Sequence, residues 1–246
     1  MAKIFITGAS SGLGWYMALE FARRGHGLAL AARRMEKLEE LADRIRREFQ
    51  VEVYAYTLDV RDEEAQRAVM AQARQDLHGL DVIIANAGIG ESSPIGKGDF
   101  SSTRATIEVN VIAAMATLHH GVELLREQGA GQLVAISSVA GERGMPGAAD
   151  YCASKAAISC YTESLRLECL NENIDITLLK PGYIDTPINQ GAASRPFLVG
   201  PEVGARALVD AIEAKCPRSY IPSWPWCVVA RLLKWLPGRL LAKSVG

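Results

Sequence analysis

Thr7-Gly8-Ala9-Ser10-Ser11-Gly12-Leu13-Gly14 is the stretch on which the fold turns. It closes a short apolar run, Lys3 to Thr7, and leads at once into helix-forming residues at amphipathic spacing from Gly12 to Arg24. That succession is strand, glycine turn, helix. Glycine supplies the turn geometry and lets other groups approach the backbone closely. The N–H groups at the start of such a helix, with its dipole, can then hold a pyrophosphate with no side chain in the way. Glycine clusters alone are common, and it is the position directly after the first strand that gives this one meaning.

Outward from the turn the same period repeats. Leu28 to Ala32 reads as a second buried strand, and Met35 to Phe49, rich in Glu, Leu and Arg, as a second helix. Further apolar runs lie at Val53 to Leu58, Leu80 to Ala85, Gln132 to Ser137 and Ile174 to Leu179, with helix-length amphipathic stretches between them. A short seventh strand, Ser219 to Ile221, follows a helix from Pro201 to Lys215 whose proline suits a first helical position. Runs with so little polar alternation are strands covered on both faces. The expected architecture is an α/β, doubly wound, mostly parallel seven-stranded sheet. The 246 residues, 49% of them apolar, suit one domain over residues 1–221 with residues 222–246 as an extension.

The bulk numbers exclude several classes. A net charge of −1, with no basic run interleaved with aromatics, argues against a nucleic-acid partner. The cysteines, Cys152, Cys160, Cys169, Cys216 and Cys227, are odd in number and form no C-x-x-C pair. They read as reduced thiols of a cytoplasmic protein, not as a disulfide frame or zinc site, and no metal is expected. No long apolar segment precedes Thr7, so export is not expected.

Three further places carry chemistry. An NAD site places an acid about 20 residues beyond the glycine turn, at the end of the second strand. Here the chain reads Ala31-Ala32-Arg33-Arg34. A carboxylate would repel a 2′-phosphate, whereas a guanidinium grips one, so Arg33, with Ser10 or Arg34 assisting, predicts NADP. Arg34 alone reads as solvated charge. Tyr151 and Lys155, in Tyr151-Cys152-Ala153-Ser154-Lys155, fall at i and i+4 on one helix face. A phenol with an ordinary pKa near 10 needs help to exchange protons at neutral pH, and a nearby ammonium favours its ionised form. Ser138 closes the fifth strand, at the carboxyl edge where open α/β sheets bind ligands, and can bond an oxygen on which charge develops.

Taken in order, these motifs resemble the short-chain dehydrogenase/reductase family, with its T-G-x-x-x-G-x-G turn and its Ser…Tyr-x-x-x-Lys set. The resemblance implies a Rossmann-type fold and an NADP(H)-dependent oxidoreductase acting on a carbonyl or secondary alcohol, an apolar ketone or aldehyde being the expected class. It implies cofactor contacts from Gly8, Ser10, Ser11, Gly12, Leu13 and Gly14. It adds Asp59, which resembles the family's adenine-contacting aspartate and otherwise reads as an N-cap for the helix starting near Asp62, with Val60 beside it, and Asn86-Ala87-Gly88, which resembles the N-A-G motif. Asn110 resembles the fourth catalytic residue, holding a water linked to Lys155. Pro181-Gly182-Tyr183-Ile184-Asp185-Thr186 resembles the loop at the carboxamide end of the nicotinamide, with Ile184 and Thr186 as contacts. Tyr151 would pass the proton, and Lys155 would lower its pKa and bond the nicotinamide ribose. A homodimer or homotetramer built on helices Ser101 to Glu127 and Tyr151 to Asn171 is implied. A catalytically silent NADP-binding sensor of the same fold would be expected to lack Tyr151 or Lys155.

Two regions are less defined. Asn189 to Leu198 is the segment that forms the substrate lid in the family, and Val139, Met145, Tyr183 and Ile188 either line a pocket or fill core. Beyond Glu213 the chain has no acid. Trp224, Trp226, Val228, Val229, Leu232, Leu233, Trp235, Leu236, Leu240 and Leu241 recur there at roughly helical spacing among Arg231, Lys234, Arg239 and Lys243, until Pro237-Gly238 breaks the pattern. Residues 224–243 read as a membrane-interface helix, a flap over a lipid-like substrate, or a contact with another subunit.

Overall fold

In the computed structural model, which describes residues 1–90, 94–97, 99–190, 194–239 and 241, the apolar runs become seven strands. They are β1 (Lys3–Thr7), β2 (Gly27–Ala32), β3 (Val53–Thr57), β4 (Val82–Ala85), β5 (Gly131–Ile136), β6 (Ile174–Pro181) and β7 (Arg218–Ile221). Their order across the sheet is β3-β2-β1-β4-β5-β6-β7. Every pairing is parallel, from Leu28 against Val53 at one side to Pro181 against Ile221 at the other. Each connection is therefore a crossover, and helices take both faces.

Strand alternation sorts the core into two layers. Ile4, Ile6, Leu28, Leu30, Ile84 and Val134 point to one face, where they meet Met17 and Phe21 of α1 (Gly12–Arg23), Leu38, Leu41 and Ile45 of α2 (Met35–Phe49), and Leu208 and Ile212 of α7 (Pro201–Glu213). Phe5, Ala29, Ile83, Leu133 and Ile176 point the other way. They meet Met70 of α3 (Glu63–Asp76), Leu118 and Leu125 of α5 (Ala114–Gln128), and Ile158 and Leu165 of α6 (Ala149–Glu168). Burying each such large side chain stabilises the fold by roughly 1.5–3 kcal/mol.

Most element bounds match the sequence reading within a residue or two, and the departures have local causes. The fourth strand starts at Val82, not Leu80, because the Gln128 side chain occupies both backbone groups of Leu80 (3.1 and 3.0 Å). The single helix expected from Ser101 to Glu127 is three pieces: α4 (Phe100–Ile107), a π-helical segment (Glu108–Ala113) and α5. One extra residue per turn there lets Asn110 reach the backbone after β4.

The last helix, α8 (Ser223–Trp235), stops before Pro237. Trp226 and Ala230 are buried against Val139, with Tyr183, Tyr220, Val229 and Leu233 around them. The Arg143 guanidinium donates to the carbonyls of Leu233, Lys234 and Leu236, the acceptors a helix end leaves open. Beside it, the Glu142 carboxylate is 2% exposed and takes Lys180 at 2.6 Å, Lys234 at 2.7 Å and Arg218 at 2.8 Å. Burial alone would raise the Glu142 pKa, but the donors, Lys180 first, outweigh it and pull it down to about 2. Leu240 and Lys243 of the amphipathic pattern, and residues 191–193 of the lid segment, lie outside the described residues. No helix among the described residues is long and apolar enough to cross a membrane.

Candidate active site

The glycine turn is cut to fit the end of β4. Gly8 takes a φ of 70°, its N–H bonds Ala31 O at 2.8 Å, and a Cβ there would lie 2.8 Å from Ala87 Cα. At Gly14 a Cβ would lie 2.7 Å from the Asn86 amide. Asn86 in turn donates to Thr7 O (2.8 Å), while the Thr7 hydroxyl accepts the N–H groups of Asn86 and Ala87. Gly8, Gly14, Asn86 and Ala87 thus form one joint between β1 and β4.

Helix α1 starts at this joint with its first amides uncovered. Ser11 is the N-cap but makes no side-chain cap, and the first turn, which holds Gly12, Leu13 and Gly14, has no acid. Asp62 of α3 and Asp99 of α4, by contrast, cap their helices with a carboxylate. An open, positive helix end is suited to an anion. Arg34 donates to Ser10 Oγ (3.0 Å) and Ser11 Oγ (2.8 Å), so this guanidinium, and not that of Arg33, stands on the turn. Arg33 is exposed at the end of β2, where its charge is felt by Asp59. Asp59 itself is bonded by Arg61, which holds its pKa down, and Val60 is buried.

Asn110 is 1% exposed. Its side chain accepts from Ile89 N and donates to Ile89 O, both at 2.8 Å, and also donates to Ser154 Oγ at 3.2 Å. A Cβ on Gly88 would lie 3.2 Å from Asn110 Oδ1 and 3.5 Å from Lys155 Nζ, so a side chain there would press on the Asn110 amide and touch the lysine. Ile89 and Ser154 were not singled out from the sequence. An Asn within a helix was the one signal, and it does not reveal its partners.

Ser138, Tyr151 and Lys155 come together beyond β5. The Ser138 hydroxyl accepts Ala140 N at 3.1 Å and is bonded to the Tyr151 phenol. Lys155 Nζ donates to Ile136 O at 3.1 Å and lies 5.7 Å from the centre of the Tyr151 ring. Burial pushes the phenol up to about 12, with Ser138 pulling the other way, and burial pulls Lys155 down to about 8. The lowered phenol pKa expected from Lys155 is therefore not what this arrangement gives: the ammonium is aimed at a carbonyl, and desolvation dominates. The phenol is kept protonated. Below this group, Ser137 and Ser159 both bond Lys155 O, fixing the helix turn that carries the lysine. The sequence reading passed over both serines.

The loop after β6 faces the glycine turn. Thr186 is buried, and its side chain lies 3.7 Å from where a Cβ on Gly12 would be. Ile184 O accepts both Thr186 Oγ1 and Asn189 Nδ2. Pro181 ends β6, and Gly182 packs on the Trp226 indole, whose space a Cβ would enter. Trp226 also meets Tyr183 and Phe197 at 5.9 and 5.8 Å between ring centres, and its buried N–H makes no hydrogen bond among the described residues. Of the four pocket candidates, Val139 is packed into this cluster as core, Tyr183 borders it, Met145 is half-buried, and Ile188 lies over Gly90. On α5, His119, His120 and Glu123 place three ligand atoms within 4.8 Å of one another, but Arg67 already pairs with Glu123 at 3.0 Å.

A wholly parallel sheet with an open glycine turn, and with Ser, Tyr and Lys gathered at the neighbouring strand ends, defines a nicotinamide-dependent oxidoreductase. The chain belongs to the short chain dehydrogenase family, which it matches over residues 2–196. It is 42% identical over 240 residues to an uncharacterized oxidoreductase of Mycobacterium tuberculosis, covering 97% of this chain and 95% of that one. It is 31% identical to hydroxysteroid 11-beta-dehydrogenase 1-like protein A of Xenopus laevis, with 98% and 84% covered. Among solved structures it resembles an alcohol dehydrogenase of the archaeon Thermococcus sibiricus complexed with 5-hydroxy-NADP (TM-score 0.80, 27% identity, 89% and 94% covered).

Proposed function

We propose that the chain is an NADP(H)-dependent oxidoreductase of apolar ketones or aldehydes, or of the corresponding secondary alcohols. The observation that carries this is the cluster of Ser138, Tyr151 and Lys155 across from a glycine turn on which Arg34 stands. The residues present fit a dinucleotide: the α1 amides are uncapped, the first turn has no acid, and β2 ends in Ala32-Arg33-Arg34. Bound there, the nicotinamide would supply or accept the hydride.

Ser10, Ser11, Gly12, Leu13 and Arg34 would hold the phosphates, and Arg33 would approach the ribose phosphate from beside Asp59. Val60, Asn86, Ala87 and Gly88 would flank the cofactor, with Pro181, Gly182, Ile184 and Thr186 across from them. Ser138 would donate to the substrate oxygen as its charge grows. Tyr151, protonated, would give up its proton to that oxygen in reduction. Lys155, partly neutral near pH 8 through burial, would bond the ribose and relay a proton past Asn110. An apolar substrate is supported by Tyr183 and Phe197 around Trp226, and by the hydroxysteroid named for the Xenopus relative. Residues 1–221 form the catalytic domain in this reading, residues 222–246 its extension, and the enzyme is a cytoplasmic homodimer or homotetramer.

Fluorescence titration with NADPH and with NADH tests the cofactor. Losing one charge-assisted contact costs about 1.5–3 kcal/mol, so Arg33→Ala should weaken NADPH binding by roughly 10- to 100-fold and leave NADH unchanged, whereas Arg34→Ala, at the turn, should weaken both. Equal binding of both nucleotides by the parent protein would remove the assignment to NADP.

A further inference from the structure

Helix α8 is bound to the body on one side only. Trp226 and Ala230 are buried, Arg143 caps its carboxyl end, and Lys234 reaches Glu142. On the outward side Trp224, Leu232 and Trp235 are 74%, 62% and 87% exposed, and Val228 is 40% exposed. Val228, Leu232 and Trp235, spaced four and three residues apart, share one stripe of the helix, and Trp224 precedes them at a kink in its first turn. Beside that stripe runs a groove of about 450 Å³ lined by Arg218, Ser219, Tyr220, Ser223, Cys227, Arg231 and Lys234. Around it Lys180, Arg218 and Lys234 share the single carboxylate of Glu142, and Arg231 adds a further cation. The chain from Ala214 onward has no acid to balance them.

We propose that this face docks on an anionic phospholipid bilayer. The two tryptophans suit the interface, where an indole keeps one end apolar and the other wet. Val228 and Leu232 lie between them, and the cations to one side suit headgroup phosphates. Thirteen residues are too few to span the hydrocarbon, so the helix lies in the plane of the surface. A second copy of the chain fits less well: an isologous contact would set the cations of the two copies against one another, and the one acid beside them, Glu142, is already shared by Lys180, Arg218 and Lys234. Through Trp226, the docked helix would bring the Tyr183 and Phe197 side of the proposed site next to the bilayer. The docking itself does not rest on the proposed chemistry.

The test is co-sedimentation of the full chain with phosphatidylcholine vesicles, with and without phosphatidylserine, followed by tryptophan emission. Binding to the phosphatidylserine vesicles, a blue shift, and release by salt are expected. Leu232→Ser with Trp235→Ser, both exposed and so neutral to folding, should lower the bound fraction at least about tenfold, and Arg231→Gln should weaken binding to the phosphatidylserine vesicles by about fivefold. The proposal is overturned if the chain stays in the supernatant with either vesicle, or if the double variant sediments like the parent. It is equally overturned if inorganic phosphate binds the groove but vesicles do not, or if the double variant changes only the oligomeric state in sedimentation velocity.

Discussion

Tyr151→Phe is expected to lower kcat for carbonyl reduction by about 10²–10⁴-fold, with NADPH affinity and melting temperature close to those of the parent. The substitution removes one hydroxyl and keeps the ring. What is lost is the proton that burial holds on the phenol at a pKa of about 12, and the bond to Ser138. The pH profile carries the sign. Lys155 is charged below about 8 and neutral above it. As pH rises through that value the ammonium that could resupply Tyr151 disappears, so the reduction rate of the parent enzyme should fall. Tyr151→Phe should show a low, flat profile instead. Steady-state rates between pH 6 and 10 measure this, and a variant within tenfold of the parent would remove Tyr151 from the reaction.

Glu142→Gln should be the most destabilising single change outside the hydrophobic core. Lys180 is 5% exposed and Glu142 2%, so removing the carboxylate leaves a buried ammonium without a counter-charge. Such a loss costs about 3–5 kcal/mol, or roughly 6–20 °C in melting temperature for a chain of this size. Replacing Lys180 by Met as well should recover most of it. The acid limb follows from the direction of the shift. The Glu142 pKa falls from the ordinary 4.5 to about 2, so its contribution is whole above 4.5 and is lost as pH drops toward 2. Differential scanning calorimetry should show less acid sensitivity in that window for the variant, and an unchanged melting temperature at pH 7 would refute the assignment.

The parts of the fold that follow from continuous burial were legible. Strands covered on both faces, such as Phe5 between Ile4 and Ile6, leave apolar runs that cannot be placed elsewhere, and the glycine turn marks where the first one ends. The order of the site along the chain was equally readable, because Gly8, Asn86, Ser138 and Thr186 each follow a strand on the same edge of the sheet. Side-chain direction was not. Arg33 and Arg34 are neighbours of one chemistry, and only the exit angle from β2 decides which one meets Ser11. Glu142 carried no signal in the sequence, since its three cations lie far along the chain. The spacing of Tyr151 and Lys155 gave nearness but not burial, which is what sets both pKa values.

The strand order also sets when this protein can become active during its synthesis. β1 waits for β4 to emerge before its second edge is paired, and the glycine turn waits for Thr186, on the far side of β6, before it has an opposing wall. Pairings so distant along the chain close late and slowly. A nascent chain halted before β6 would hold the turn and the lysine helix but no enclosed cleft between them. Until that strand leaves the ribosome, the sheet edge it will cover stays open to a chaperone or to another nascent chain.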